Sequence, residues 1–469
     1  AFNRYVAHCQ SFLQAGRPDN DILLFFDATD LQSERGREPM LYHMNQNTPV
    51  QSAIGASATA LYDKGYTWDY ITDKMLQDNV SVSGGKLLTK GGNSYQTIVI
   101  PKCDKMILET FERLLSLARK GATVLVEEAL PADVPGLYRL DERRARLEKL
   151  KASLNFVEHD GVSEAACGKG KVLVSSDLSV MLDLAGVSRE AMYDLGLQCI
   201  SRVKDDGGKY YFVKNPTSGT VEAWVPLDAV CGTVGIYNPM TEKFGYGRVR
   251  ESEGGRKEVF MKILPDASYL LETFAGTYTG EEYEFYEAAG EPVAVEGPWH
   301  IRFTLGGPEL PVSRTVKALG SWTKYGKAYE IFSGSAEYRA VLPFAGDTPA
   351  AAWALDLGDV RESAAVWLDG KYLGTVFKKP YALVLTPDQA ARGGELVVRV
   401  SNSCENRISY MDRSGIKWKI FYNANIAPRG GSRGPDGFFS AAKWPVEDSG
   451  LLGPVTLTPL RAVGDIPQK

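Results

Sequence analysis

Histidine is scarce in this chain. His8, His43, His159 and His300 are the only four among 469 residues. No two share the short spacing of ligands on one helix or hairpin, which argues against a transition-metal centre built on imidazole. Calcium, held by backbone and aspartate oxygens, leaves no such signature and stays open as a structural ion; no other cofactor is expected. The six cysteines (Cys9, Cys103, Cys167, Cys199, Cys231 and Cys404) are scattered without a C-x-x-C pair. Zinc is therefore not expected, and buried free thiols are the simpler reading in a chain this long. No G-x-G-x-x-G or G-x-x-x-x-G-K-[ST] opens a helix, so nucleotide phosphates lack a backbone cradle. No apolar run approaches the about 20 residues that cross a bilayer, which excludes a membrane helix. No charged-then-apolar leader is seen either, so any export signal is absent or already removed. Positive charge is not in excess: the net charge is −5, against a surface for nucleic acid. The densest basic run, Arg143-Arg144-Ala145-Arg146, shares its helix with Asp141, Glu142 and Glu148 and reads as a solvated face.

What is present is ordinary globular composition, 44% hydrophobic and 24% charged, at a length that suits about three domains. Residues 4–16 have helical spacing and stop at Gly16-Arg17-Pro18. Because the chain opens in what reads as mid-helix, an N-terminal truncation or a domain fragment is expected. Ile22-Leu23-Leu24-Phe25-Phe26, Thr97-Ile98-Val99-Ile100, Thr123-Val124-Leu125-Val126 and Val172-Leu173-Val174 are short, uniformly apolar runs, of the kind buried in a parallel sheet. Helical patterns at 51–62, 68–78, 108–120, 141–153 and 177–186 lie between or beside them. This rhythm predicts an open, doubly wound α/β domain of flavodoxin-like type over 20–190. Over 191–276 the runs shorten and alternate, as in Val221-Glu222-Ala223-Trp224-Val225, which predicts a small β-sandwich. A Gly- and Glu-rich connector at 277–296 precedes a third region over 297–462, with a tail at 463–469.

That third region has the most informative wording. Ala365-Val366-Trp367-Leu368-Asp369-Gly370-Lys371-Tyr372 and Glu395-Leu396-Val397-Val398-Arg399-Val400 alternate, with turns at Asp369-Gly370 and Arg392-Gly393-Gly394. Those are the marks of an antiparallel sandwich. Trp367, between Val366 and Leu368, is expected in the core. These strands resemble the galactose-binding-like jelly roll appended to large glycoside hydrolases.

Three further places extend the resemblance. Tyr5 to Pro18 resembles a helix that ends a catalytic barrel, placing 1–19 as its remnant. Gly65-Tyr66-Thr67-Trp68-Asp69-Tyr70-Ile71 resembles a post-barrel α/β domain. Tyr237-Asn238-Pro239-Met240-Thr241-Glu242 resembles a sandwich turn in which Asp and Gly are usual where Asn238 and Glu242 stand here. With Ser449-Gly450-Leu451-Leu452-Gly453-Pro454-Val455, the set is similar to the C-terminal half of glycoside hydrolase family 106, the α-L-rhamnosidase-like group. The resemblance implies a multidomain α/β plus all-β chain from a secreted or periplasmic protein. Its partners would be carbohydrate and an upstream (β/α)₈ barrel of the same polypeptide, which holds the catalytic carboxylates. Eight βα units do not fit before residue 20, so no catalytic residue is assigned and the chain alone is expected to be inactive. A stand-alone lectin-like protein and the C-terminal region of a β-galactosidase-type enzyme are the alternatives.

Within the chain, Glu127-Glu128 ends a strand where open α/β sheets bind ligands, but neighbours on a strand face opposite ways. Cys103 follows a strand without the glycines a nucleophile elbow needs, and His159 is the only plausible base for it in this domain. Sugar platforms need exposed rings beside polar groups. Trp322 and Tyr325 in a turn-like segment, and Trp418, Tyr422 and Asn423 in a long loop, are the candidate carbohydrate-binding residues.

Overall fold

The structure, a computed structural model, describes residues 1–33 (31–33 by backbone alone), 52–343, 349–419, 434 and 438–464. His43, Tyr422 and Asn423 lie outside the described residues. The chain divides into two compact units, Ala7–Tyr283, and Ala1–Val6 together with Glu284–Lys469. The stretches read as separate modules at 20–190 and 191–276 fall within the first.

In the first unit the apolar runs form the middle of a seven-stranded sheet. Its strands are β1 (Ile22–Phe25), β2 (Trp68–Ile71), β3 (Thr97–Ile100), β4 (Thr123–Glu127), β5 (Phe156–His159), β6 (Val162–Cys167) and β7 (Gly170–Ser175), in the order β2-β1-β3-β4-β7-β6-β5. The five strands β1, β2, β3, β4 and β7 pair in parallel, and β6 and β5 add an antiparallel hairpin. Taken in chain order the parallel strands lie 2-1-3-4-5, so the winding reverses between β1 and β3. Both central strands are buried along their whole length, because helices cover both faces of such a sheet. Among them, α1 (Ala53–Lys64) starts at the Ser52 side chain and ends at Gly65, whose φ of 81° suits a residue without a Cβ. Helices α2 (Leu108–Arg119) and α3 (Leu140–Lys151) follow β3 and β4.

The helix expected at 68–78 is corrected. Trp68–Ile71 is strand β2, in register with Ile22–Phe25, and only Asp73–Asn79 is helical. The edge position explains the miss: β2 is only partly buried, so its pattern lacks the continuous apolar run of its neighbours.

Downstream, β8 (Gln198–Val203), β9 (Lys209–Lys214), β10 (Val221–Leu227), β11 (Thr233–Tyr237), β12 (Phe244–Tyr246), β13 (Val249–Glu251), β14 (Lys257–Ile263) and β15 (Ser268–Phe274) form a six-stranded and a three-stranded sheet. The sixth strand of the larger sheet is Arg17–Pro18, which pairs antiparallel with Arg202–Val203. In the turn after β11, the Asn238 side chain accepts the N–H of Met240 at 2.9 Å, and Glu242 stands at a φ of 62°. That left-handed conformation is where glycine is the usual residue.

The second unit is a sandwich. One sheet is β16 (Trp299–Gly307), β17 (Arg314–Val316), β18 (Ser333–Leu342), β20 (Ser363–Leu368), β21 (Lys371–Val376) and β23 (Gly394–Ser401), in the order β17-β16-β18-β23-β20-β21. The other contains β19 (Ala352–Asp356), β22 (Ala382–Leu385) and β24 (Thr456–Ala462), extended by Tyr286–Ala288. Trp299, Phe303, Tyr338, Val366, Leu396, Val398 and Leu457 meet in the core. Trp367 is not among them. Val366 and Leu368 point inward, so the residue between them must point out, where its ring lies 4.9 Å beneath the Arg399 guanidinium.

The outer side of the six-stranded sheet carries one buried acid. Glu337 on β18 is 4% exposed and receives Arg302 at 2.9 Å, Arg339 at 3.2 Å and Arg399 at 2.7 Å. Burial alone would raise its pKa, but the three guanidiniums outweigh it and hold the carboxyl down at about 2, below the usual 4.5. Its contribution to stability is complete above pH 4.5 and is lost as pH falls through about 2. Acid titration of unfolding should show this unit weakening across that window, and Glu337→Gln should flatten the slope.

Candidate functional site

An open α/β sheet offers its crevice at the carboxyl ends of the strands, where the winding reverses. Here that place lies beyond Phe25 and Ile100. Two residues on, Asp27 is 8% exposed, with Oδ1 accepting the Asp30 N–H at 2.9 Å and Oδ2 buried without a hydrogen-bond partner among the described residues. Burial, then the Asp30 and Asp73 carboxylates, push its pKa up to about 6. Across from it Cys103 is 6% exposed, and burial followed by the Asp27 and Asp30 charges drives its thiol well above the ordinary range. A thiol so placed is neutral and a poor nucleophile. The Asp30 carboxylate accepts the N–H groups of Asp104 at 3.2 Å and Lys105 at 2.9 Å, clasping the loop after β3. His159, on the exposed strand β5, belongs to the opposite edge of the sheet.

At the end of β4 the two glutamates part. Glu127 turns to the Ser57 hydroxyl on α1, and burial raises its pKa. Glu128, at a φ of 64°, pairs with Lys102 at 2.5 Å. The sheet edge therefore gathers Asp27, Cys103, Lys102, Glu127 and Glu128, with Glu127 turned to Ser57 and Glu128 to Lys102. Among the described residues no three of His, Cys, Asp and Glu come together as a metal site, and no helix is long and apolar enough to cross a membrane.

A second polar cluster lies deeper. Lys209 on β9 sits 2.8 Å from Asp19, 3.4 Å from Asp228 and 3.6 Å from Glu190. Glu190 is 3% exposed, and its other oxygen accepts the Asp228 N–H at 3.1 Å. Burial, only partly offset by Lys209, lifts the Glu190 pKa to about 7. The ammonium is desolvated as well, yet Asp19, Glu190 and Asp228 hold it charged, above the usual lysine value. None of these residues carries a sequence signal, since a lone lysine in an alternating strand reads as solvent-facing.

The expected sugar-binding residues fare unevenly. Trp322 is 0% exposed and stacks edge-on against Phe303 at 5.3 Å and Phe332 at 5.9 Å. Its expected surface position is corrected: the turn-like segment 320–326 folds inward because the ring completes the sandwich core. Tyr325 is half-buried against that core under the Arg314 guanidinium, 4.9 Å from its ring. Trp418 is also half-buried, donating from Nε1 to Asp412 at 2.6 Å beside Lys419 and Phe439. Trp322 and Trp418 thus do not share one exposed platform. Close packing at Trp322 has a further consequence. Gly450 has a φ of 107°, and a Cβ there would stand 2.3 Å from the Tyr338 hydroxyl and 2.8 Å from the Trp322 ring. Gly450→Ala should destabilise this unit by about 2–3 kcal/mol in denaturant unfolding, from backbone strain and overpacking together.

Residues 1–227 match the family model described as alpha-L-rhamnosidase, glycoside hydrolase family 106. A protein of Formosa agariphila carrying a provisional β-glucuronidase name is 31% identical over 189 residues, which cover 36% of this chain and 16% of the relative. The solved rhamnosidase of Novosphingobium sp. PP1Y superposes with a TM-score of 0.71 at 23% identity, over 97% of this chain and 40% of that structure. A β-galactosidase from Bacillus circulans covers 55% of this chain and 42% of its own length at 13% identity, with a TM-score of 0.34, too low to carry an argument. The rhamnosidase match shows the fold, a multidomain arrangement of α/β and β-rich parts, and the family match supports the resemblance to family 106. The chain spans less than half the length of each of these relatives.

Proposed function

We propose that this chain is the accessory region of a glycoside hydrolase, one whose parent enzyme releases a terminal sugar, L-rhamnose first. The observation that carries the reading is the rhamnosidase-like fold over 97% of the chain combined with the family match over residues 1–227. The glycosidase naming of the Formosa agariphila relative points to the same reaction class. The role assigned to this chain is scaffolding beside a catalytic barrel. Glycoside hydrolysis needs two carboxyls facing each other across the bond, one protonated and one charged. At the sheet edge Glu127, Glu128 and Asp30 are instead committed to Ser57, Lys102 and the loop after β3, which among the described residues leaves Asp27 without a charged carboxylate facing it as a partner in such a pair.

Assay of this chain on 4-nitrophenyl α-L-rhamnopyranoside is expected to show no release above the uncatalysed rate. Turnover that rises in proportion to protein and survives repeated purification would overturn the accessory role.

A further inference from the structure

We infer that the outward face of the six-stranded sheet in the second unit binds a uronate-bearing glycan laid across its strands. Register brings two rows of side chains together there. One row sets Arg302, Glu337 and Arg399 on the neighbouring strands β16, β18 and β23. The next row has His300 and Arg339 at one end and Trp367 and Tyr372, on β20 and β21, at the other. At about 4.8 Å per strand, β16 to β21 covers about 19 Å, the reach of a short oligosaccharide rather than a single ring.

The two ends offer different chemistry. Tyr372 is 50% exposed and its ring lies 5.5 Å from that of Trp367, which lies under Arg399, so Tyr372 presents the aromatic surface to the apolar face of a sugar, with Trp367 beside it. Arg302 is 62% exposed in its side chain and reaches Glu337 through Nη2, which leaves most of the fork towards water. Three guanidiniums on this face meet two carboxylates, Glu337 and Glu395, and Glu337 is buried beneath them. Solvent therefore sees an excess of positive charge beside the rings. A carboxylate fits these forks better than a compact charge would, because a guanidinium presents its donors in a plane. The face already holds carboxylates in this way: Arg339 shares Nη1 between both Glu395 oxygens, at 3.2 and 3.0 Å, and gives Nη2 to Glu337 at 3.2 Å. A sugar acid supplies the planar carboxylate and the apolar ring face in one residue.

This surface does not depend on the hydrolase reading, and its test does not use hydrolysis. The whole chain is run in native gels containing alginate, dextran sulfate or neutral dextran. Retardation by alginate is expected, with none by dextran. Arg302→Gln leaves Arg339 and Arg399 on Glu337, and Tyr372→Ala trims an exposed ring, so both variants should keep the wild-type circular dichroism. Each should weaken alginate binding tenfold or more. Equal retardation by dextran, binding of dextran sulfate without alginate, no binding at all, or wild-type affinity in both variants would overturn the inference. So would a concentration-dependent dimer that both substitutions abolish, which would assign the face to a second copy of the chain.

Discussion

Lys209→Met unfolds the first unit at markedly lower urea than the parent, with a loss of about 3–5 kcal/mol, the usual cost of stripping one partner from a buried ion cluster. The methionine fills much the same space, so the loss reports charge rather than volume. Asp19, Asp228 and Glu190 would be left around an apolar side chain, with Asp21 close enough to add to the repulsion. Adding Glu190→Gln to that variant removes the most deeply buried of the acids and should restore part of the stability. The pH dependence gives an independent check. Glu190 has its pKa raised from 4.5 to about 7, so the folded state holds a proton that the unfolded chain has released. Stability from this group is therefore full below pH 4.5 and declines as pH rises through about 7. In Glu190→Gln alone that decline should be missing from a series of urea melts.

Trp322→Ala should cost the second unit about 3–5 kcal/mol, through lost burial and the cavity left behind. The ring is 0% exposed and touches Phe303 and Phe332 edge-on. Among the described residues its buried indole nitrogen has no hydrogen-bond partner, so Trp322→Phe removes an unsatisfied donor along with part of the volume and should lose much less. A sugar platform would respond differently, losing ligand affinity at unchanged stability. Parallel urea melts of the two variants, against alginate retardation of the Phe variant, separate these behaviours.

The two tryptophans show how far the pattern could be read. Trp367 follows strict alternation, and its neighbours Val366 and Leu368 already decide that it faces outward; hydrophobicity alone misplaces it in the core. Trp322 lies in a segment with no period, Gly320-Ser321-Trp322-Thr323, where only the surrounding sandwich decides which way the ring turns. The apolar runs at Ile22, Thr97 and Thr123 are legible as parallel strands because both faces are covered. Trp68–Ile71, half-covered at an edge, is not. Asp27 has a signal in the sequence, since it follows the first buried run of a doubly wound domain. The Lys209 cluster was not, because Asp19, Glu190, Lys209 and Asp228 are brought together only by the folded chain. Arg302 and Arg399 occupy the polar positions of their alternating strands, which marks them as outward, but their convergence on Glu337 needs the register of three strands.

The burial that silences Cys103 reaches four of its five companions. Cys9, Cys167, Cys199 and Cys231 are enclosed too, while Cys404, just ahead of the helix Glu405–Arg413, is exposed. A maleimide added to the native chain would accordingly attach a single reporter. That makes Cys404 a ready-made handle for a fluorophore or spin label on the sandwich, with no engineered cysteine required.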